Sequence, residues 1–166
     1  MHTTRIIRTL VIVMILFSTI GCDQVSKIIV RKHLADYEQI GLISHYLTLT
    51  KVENTGAFLS LGNTLPQPFK LLLLVILPLF ALVLALVYLF SKSTLSTSRI
   101  VGICFIIGGG LGNIFDRLMY GSVTDFLYID LGMVQTGIFN IADVAVMVGV
   151  ILLFLETSME RARAKH

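Results

Sequence analysis

Charge is what this sequence is short of. Only 14% of its 166 residues are Asp, Glu, Lys or Arg, against 55% hydrophobic residues, where a soluble domain usually carries about 25% charge. That deficit, with a mean hydropathy of +0.88, argues against an ordinary soluble domain and places the chain in the membrane class. Cysteine is also scarce: Cys22 and Cys104 both fall in apolar segments and suggest neither a disulfide framework nor a zinc site. His2, His33, His45 and His166 show no metal-ligand spacing with one another or with cysteine. No Pro/Ser-rich linker, acidic tail or internal repeat marks a second domain, so residues 1–166 are expected to form one. The net charge of +3 is modest and sits mainly at segment ends. That pattern speaks for membrane orientation and against nucleic-acid binding.

Apolar runs, by contrast, are plentiful. A spanning helix needs roughly 20 mostly apolar residues, and the sequence predicts four, at about 6–30, 71–90, 100–118 and 138–157. The first carries Asp23, Gln24 and Lys27 in its last turns; the second is uncharged, with Pro78 as an expected kink. The third is Gly-rich toward its end, and Asp143 interrupts the fourth. Arg5 and Arg8 precede the first helix, Lys92 and Arg99 lie between the second and third, and Arg161, Arg163 and Lys165 follow the fourth. The connection from Tyr120 to Gly137 has no Lys or Arg. The positive-inside rule therefore puts both termini in the cytoplasm and two connections outside. The long first connection carries Arg31, Lys32, Lys51 and Lys70, but long loops weigh less in that rule.

That connection, residues 31–69, is too long for a turn. Tyr46 to Val52 alternates with period two and reads as a strand, Glu53 to Gly56 as a turn, and Ala57 to Leu61 as a returning strand. The fold class expected is an all-α membrane protein: a four-helix bundle with a small extracytoplasmic β-sheet in its first outer loop.

With that orientation the polar residues gather in one outer layer: Asp23, Lys27, Asn54, Asn113, Asp116, Arg117, Asp125, Asn140 and Asp143. An aspartate within a spanning segment costs about 2.5 to 3.5 kcal/mol on insertion scales. Asp143 is therefore read first as functional, and otherwise as a partner of Arg117 that holds helices together. Counting from Ile138, it lies roughly 7 to 8 Å along the helix, near an N-terminus whose dipole favours a carboxylate. Asn140 shares its face. Asp125 alone would be a solvated loop residue. Brought beside Asp143 it would form a coupled pair in which one carboxylate activates water and its protonated partner donates to a carbonyl.

Asn113 and Arg117 share one helix face, fit to orient a carboxylate, to bind a substrate carbonyl or headgroup, or simply to let Arg117 snorkel. Gly108 to Gly110 and Gly112 are read as helix-packing positions. Asp23 and Lys27, spaced i,i+4, are a possible helix-end ion pair. Ser26 and Lys27 are adjacent, about 100° apart on a helix, which disfavours a local Ser-Lys dyad.

These motifs resemble the bacterial lipoprotein signal peptidase family, also called signal peptidase II. The matching residues are Asp23-Gln24-Val25-Ser26-Lys27, Asn54-Thr55-Gly56-Ala57, Gly112-Asn113-Ile114-Phe115-Asp116-Arg117, Val123-Thr124-Asp125-Phe126 and Phe139-Asn140-Ile141-Ala142-Asp143. They keep the family's order, spacing and four-helix frame over nearly the whole chain. The resemblance implies a metal-free and cofactor-free aspartyl protease of the bacterial inner membrane that cleaves diacylglyceryl-modified prolipoproteins before the lipidated cysteine. It implies Asp125 and Asp143 as the catalytic dyad, and Asn54, Gly56, Asn113, Arg117 and Asn140 as substrate-binding or dyad-orienting residues. Asp23, Lys27 and Asp116 would be structural support. Membrane lipids, prolipoproteins and the inhibitor globomycin are the implied partners, with a monomer expected.

Two rival readings stand beside it. Thr19-Ile20-Gly21-Cys22 resembles a lipobox and alone would suggest a lipoprotein precursor, although three further spanning helices do not suit a mature lipoprotein. An intramembrane aspartate also fits a small transporter, which would want polar groups near mid-membrane and on both sides.

Overall fold

The computed structural model describes residues 2–43, 46–57 and 61–164. His45, Lys165, His166 and the interior of the expected strand from Ala57 to Leu61 lie outside them. Four helices are long and apolar enough to cross a membrane. They are α1 (His2–His33), α2 (Gln67–Ser91), α3 (Thr97–Tyr120) and α4 (Ile141–Arg163).

Each boundary has a local cause. Pro66 caps α2 and Pro68 follows in its first turn, where a missing N–H costs nothing. Instead of a kink at Pro78 alone, α2 contains a π-helical turn at Leu72–Ile76 just before that proline. A proline's ring crowds the carbonyl four residues back, and a wider turn there relieves the crowding. Ser96 caps α3 by accepting the Arg99 N–H at 3.1 Å, and α3 ends on Gly121, whose φ of 76° suits glycine. The fourth helix begins later than the apolar pattern predicts. Phe139 is still extended and bridged to Leu127, so the helix starts at Ile141 with Asn140 as its cap.

Three antiparallel strands cover the end of the bundle where α1 finishes and α4 begins: β1 (Gln39–Ile43), β2 (Leu47–Asn54) and β3 (Val123–Ile129), with β2 central. The sheet differs from expectation in two ways. The hairpin partner of β2 is β1, before it in the chain, where Ile40 pairs with Leu49. Of the expected returning strand, residues 58–60 lie outside the described residues, and at its two ends the Ala57 N–H donates to the Leu61 carbonyl at 2.7 Å. The third strand comes from the second connection, with Val52 opposite Asp125 and Asn54 opposite Val123.

The third helix is the centre of the bundle, packing against the other three and against β3. The core within the bundle is built from Ile12, Leu82, Leu89, Ile103, Cys104 and Ile107, and a second cluster of Val30, Leu34 and Phe126 fixes β3 to the end of α1. Apolar side chains such as Leu10, Phe17, Phe80, Met147 and Phe154 point outward from the helices, as lipid-facing residues do.

Candidate active site

The structure brings Asp23, Lys27, Asn54, Gly56, Asn113, Asp116, Arg117, Asp125, Asn140 and Asp143 into one connected cluster beneath the sheet. Asp125 sits in β3 between Thr124 and Phe126, and all three are buried. One of its carboxylate oxygens, Oδ1, accepts from Asn140 Nδ2 at 2.7 Å, and the other, Oδ2, from Asn54 Nδ2 at 3.0 Å. Asn54 is held by the turn after β2: its Oδ1 accepts the Gly56 N–H at 2.9 Å and its Nδ2 donates to the Ala57 carbonyl at 3.0 Å. Burial pushes the Asp125 carboxyl up to about 6, with Asp143 adding to the rise and the Asn54 and Asn140 amides and Lys27 opposing it.

Asp143 lies two residues into α4, about 3 Å along the axis from Ile141, shallower than the 7 to 8 Å expected from a helix starting at Ile138. It belongs to a capping box: the Asn140 side chain accepts the Asp143 N–H at 3.0 Å, and Asp143 Oδ2 accepts the Asn140 N–H at 3.1 Å. The other oxygen, Oδ1, accepts from Asn113 Nδ2 at 2.8 Å. The alternative pairing of Asp143 with Arg117 is not formed among the described residues. Arg117 instead donates to the Gly56 carbonyl at 2.9 Å and the Asn113 carbonyl at 3.4 Å. Its Nε is buried without a partner among them. Asp125, Asp143, Asn54, Asn113 and Arg117 line a small cavity of about 60 Å³, large enough for water.

Below these groups lies a buried ionic support. Lys27 is fully buried, and its three protons are matched by three acceptors: Asp23 Oδ2 at 2.8 Å, Asp116 Oδ2 at 2.9 Å and Asn113 Oδ1 at 2.9 Å. Asp23 Oδ1 accepts the Ala142 N–H at 3.0 Å, tying α1 to the first turn of α4. A Cβ on Gly112 would stand 2.5 Å from Asp23 Oδ2, so only glycine admits this carboxylate between the helices. Ser26 is not aimed at Lys27; its hydroxyl donates to the Asp23 carbonyl at 2.7 Å.

Sequence reasoning gave no separate role to four polar residues that the structure builds in. Gln24 Nε2 lies 3.0 to 3.2 Å from Asp23 Oδ2, the Gly112 carbonyl and Asp116 Oδ1. Arg31 pairs with Asp116 at 3.1 Å, covers the Tyr120 ring and donates to Thr124 Oγ1 at 2.7 Å. The Thr124 hydroxyl in turn donates to Glu53 at 2.7 Å, so the residue beside Asp125 is fixed from both sides. The β-branched and aromatic run Val123-Thr124-Asp125-Phe126-Leu127-Tyr128-Ile129 is a strand signal that could have placed Asp125 on a sheet.

Two apolar troughs flank Asp143. One, about 570 Å³, runs between α2 and α4 past Leu74, Pro78, Val146 and Ile151 and ends at Asn113 and Arg117. The other, about 560 Å³, lies on the far side of α4 against Ile129, Phe139 and Val148. Polar side chains are not confined to this end. At the opposite end, buried Glu156 accepts from Ser96 and lies 3.7 Å from Arg99, which corrects the expectation of a single polar layer. Cys22, the lipobox-like cysteine, lies exposed within the continuous helix α1.

The family model described as signal peptidase (SPase) II matches residues 14–159. The chain is 39% identical over 141 residues to a lipoprotein signal peptidase of Clostridioides difficile (strain 630), covering 85% of this chain and 90% of the relative. It is 37% identical over 123 residues to a lipoprotein signal peptidase of Aquifex aeolicus (strain VF5), covering 73% and 71%. A solved bacterial membrane enzyme superposes with a TM-score of 0.82 at 28% identity, covering 92% of this chain and 90% of that one. With a family match over most of its length and relatives of this identity, the chain belongs to the signal peptidase II family.

Proposed function

We propose that this protein is a lipoprotein signal peptidase of the aspartyl type. It removes the signal peptide from diacylglyceryl-modified prolipoproteins by cutting before the lipidated cysteine. The observation that carries this reading is the meeting of Asp125 and Asp143 on one small polar cavity, linked through Asn140. Asp125, with its carboxyl pushed up to about 6, is suited to hold the proton that polarises the scissile carbonyl. Asp143, oriented by two donors at the start of its helix, is placed to act as the base that takes a proton from water. Water attacks the carbonyl carbon, the carbonyl oxygen receives the acid's proton, and the amine leaves with a proton from the pair.

Asn54, Gly56, Asn113, Arg117 and Asn140 would orient the dyad or hold the substrate backbone, and Asp23, Lys27 and Asp116 would hold the helices that carry it. The apolar troughs on either side of Asp143 suit a substrate whose signal peptide and acyl chains arrive from lipid. The distribution of Lys and Arg supports an inner-membrane protein with both termini cytoplasmic and the dyad near the outer face. We read the chain as one domain acting as a monomer and binding globomycin at the dyad.

The test is cleavage of a lipidated against an unlipidated lipobox peptide, with and without globomycin. Cutting of the lipidated peptide alone, blocked by globomycin, is expected. Processing by both Asp125→Asn and Asp143→Asn proteins would overturn the dyad assignment.

A further inference from the structure

At the end of the bundle opposite Asp125 and Asp143, α1 and α2 enclose a second polar cavity of about 290 Å³. It is lined by Arg5, Arg8 and Ile12 of α1 and by Phe90, Ser91 and Ser93 where α2 ends, with Ile12 and Phe90 as apolar floor residues beside the polar ones. Arg8 reaches across to donate to the Leu89 carbonyl at 2.7 Å and the Lys92 carbonyl at 2.5 Å, closing the last turn of α2. Those contacts leave its charge unneutralised, and its Nε is buried with no partner among the described residues. Arg5 is exposed and forms no ion pair among them.

Among the described residues no free carboxylate is at hand. The sequence has no Asp or Glu in residues 1–22 or 54–115. At this end of the bundle Glu156 and Glu160 are already engaged by Arg99. A cavity with two guanidinium groups and hydroxyl donors, without an acid, is complementary to an anion whose oxygens accept several hydrogen bonds. Its position decides between sources of that anion. It lies at the ends of two spanning helices, where lipid phosphates lie, and its floor continues into the lipid-facing surface through the half-exposed Phe90.

We propose that this cavity holds the phosphodiester headgroup of one anionic phospholipid, with its acyl chains descending past Phe90. The lipid supplies the counter-charge that the described residues lack there and braces α1 against the end of α2. Basic recesses between spanning helices bind lipid headgroups by the same electrostatics.

The test is native mass spectrometry of the full chain released from detergent. It follows retention of phosphatidylglycerol against phosphatidylcholine of the same acyl chains. The wild type should retain the anionic lipid with roughly tenfold preference. Arg5→Gln/Ser93→Ala, which leaves the Arg8 cap intact, should lower that preference about fivefold. Arg161→Gln/Arg163→Gln, which removes basic groups at the same end but outside the cavity, should leave it unchanged. Equal retention by the wild type and Arg5→Gln/Ser93→Ala overturns the proposal, as does equal loss in the Arg161→Gln/Arg163→Gln control. Complete displacement of the lipid by excess inorganic phosphate would make the ligand a free phosphate and overturn the lipid assignment.

Discussion

Asn140 donates from Nδ2 to the Asp125 carboxylate at 2.7 Å, while its own Oδ1 accepts the Asp143 N–H at 3.0 Å. One side chain thus starts a helix and fixes the carboxylate on the strand opposite. The two duties can be separated. Asn140→Ser keeps a capping oxygen but loses the donor to Asp125, whereas Asn140→Ala loses both. We expect both variants to lose about 100-fold or more in kcat/KM, since misplacement of a catalytic group by an ångström costs that much. Only the Ala variant should also lose about 0.5 to 2 kcal/mol of stability from the missing cap. A Ser variant that cleaves at the wild-type rate would show the bridge to Asp125 to be idle.

The same residue shows what the sequence could and could not disclose. The four spans were legible because hydrocarbon demands long apolar runs, and the functional weight of Asp143 was legible because such a run contained it. The start of α4 was not, since Ile138 and Phe139 are as apolar as the helix that follows. Their extended backbone depends on pairing with Leu127, a contact made only in the folded chain. The cavity shared by Asp125 and Asp143 was likewise beyond periodicity. It depends on β3 pairing with β2, whose residues lie some 70 positions earlier, a long-range pairing that local pattern does not encode. The order of the motifs pointed to both aspartates; their shared amide partner emerged only from the fold.

The Asp125 carboxyl, pushed up to about 6 by burial with Asp143 adding to it, gives stability a defined pH dependence. Between about pH 4 and 6 the folded chain keeps a proton that the unfolded chain releases. Stability from this group is therefore full below about pH 4 and is lost as pH rises through 6. A change from 3.8 to about 6 corresponds to about 3 kcal/mol at most. Thermal midpoints in detergent should show the wild type losing stability across that window relative to Asp125→Asn. If Asp125 is the proton donor, kcat/KM should decline above about pH 6; a flat profile from pH 5 to 9 would assign the acid elsewhere.

Lys27 is fully buried between Asp23 and Asp116, and removing it leaves carboxylates without their counter-charge. Arg31 still reaches Asp116 at 3.1 Å, so Asp23 carries most of the cost. Lys27→Met should destabilise the fold by about 3 to 5 kcal/mol. Combining it with Asp23→Asn and Asp116→Asn should recover most of that loss, because neutral groups remain where unpaired charges stood. Thermal midpoints of the single and triple variants check this. A Lys27→Met protein as stable as the wild type would mean that the triad does not hold α1, α3 and α4 together.

Two adjacent glycines on α3 separate close helix approach from mere lack of space. A Cβ on Gly109 would lie 2.4 Å from the Ala142 carbonyl oxygen, which cannot swing aside without moving the first turn of α4. A Cβ on Gly110 would stand 2.7 Å from Leu82 Cδ1 and 3.1 Å from Leu82 Cδ2, the far end of a side chain that can change rotamer. Gly109→Ala should therefore cost about 1 to 3 kcal/mol from overpacking. Because Asp143 follows Ala142 directly, it should also lose more than tenfold in kcat. Gly110→Ala should stay near wild-type activity with a smaller loss of stability. Parallel cleavage assays on the two variants read the difference. Equal kcat values would show that the α3–α4 approach does not set the position of Asp143.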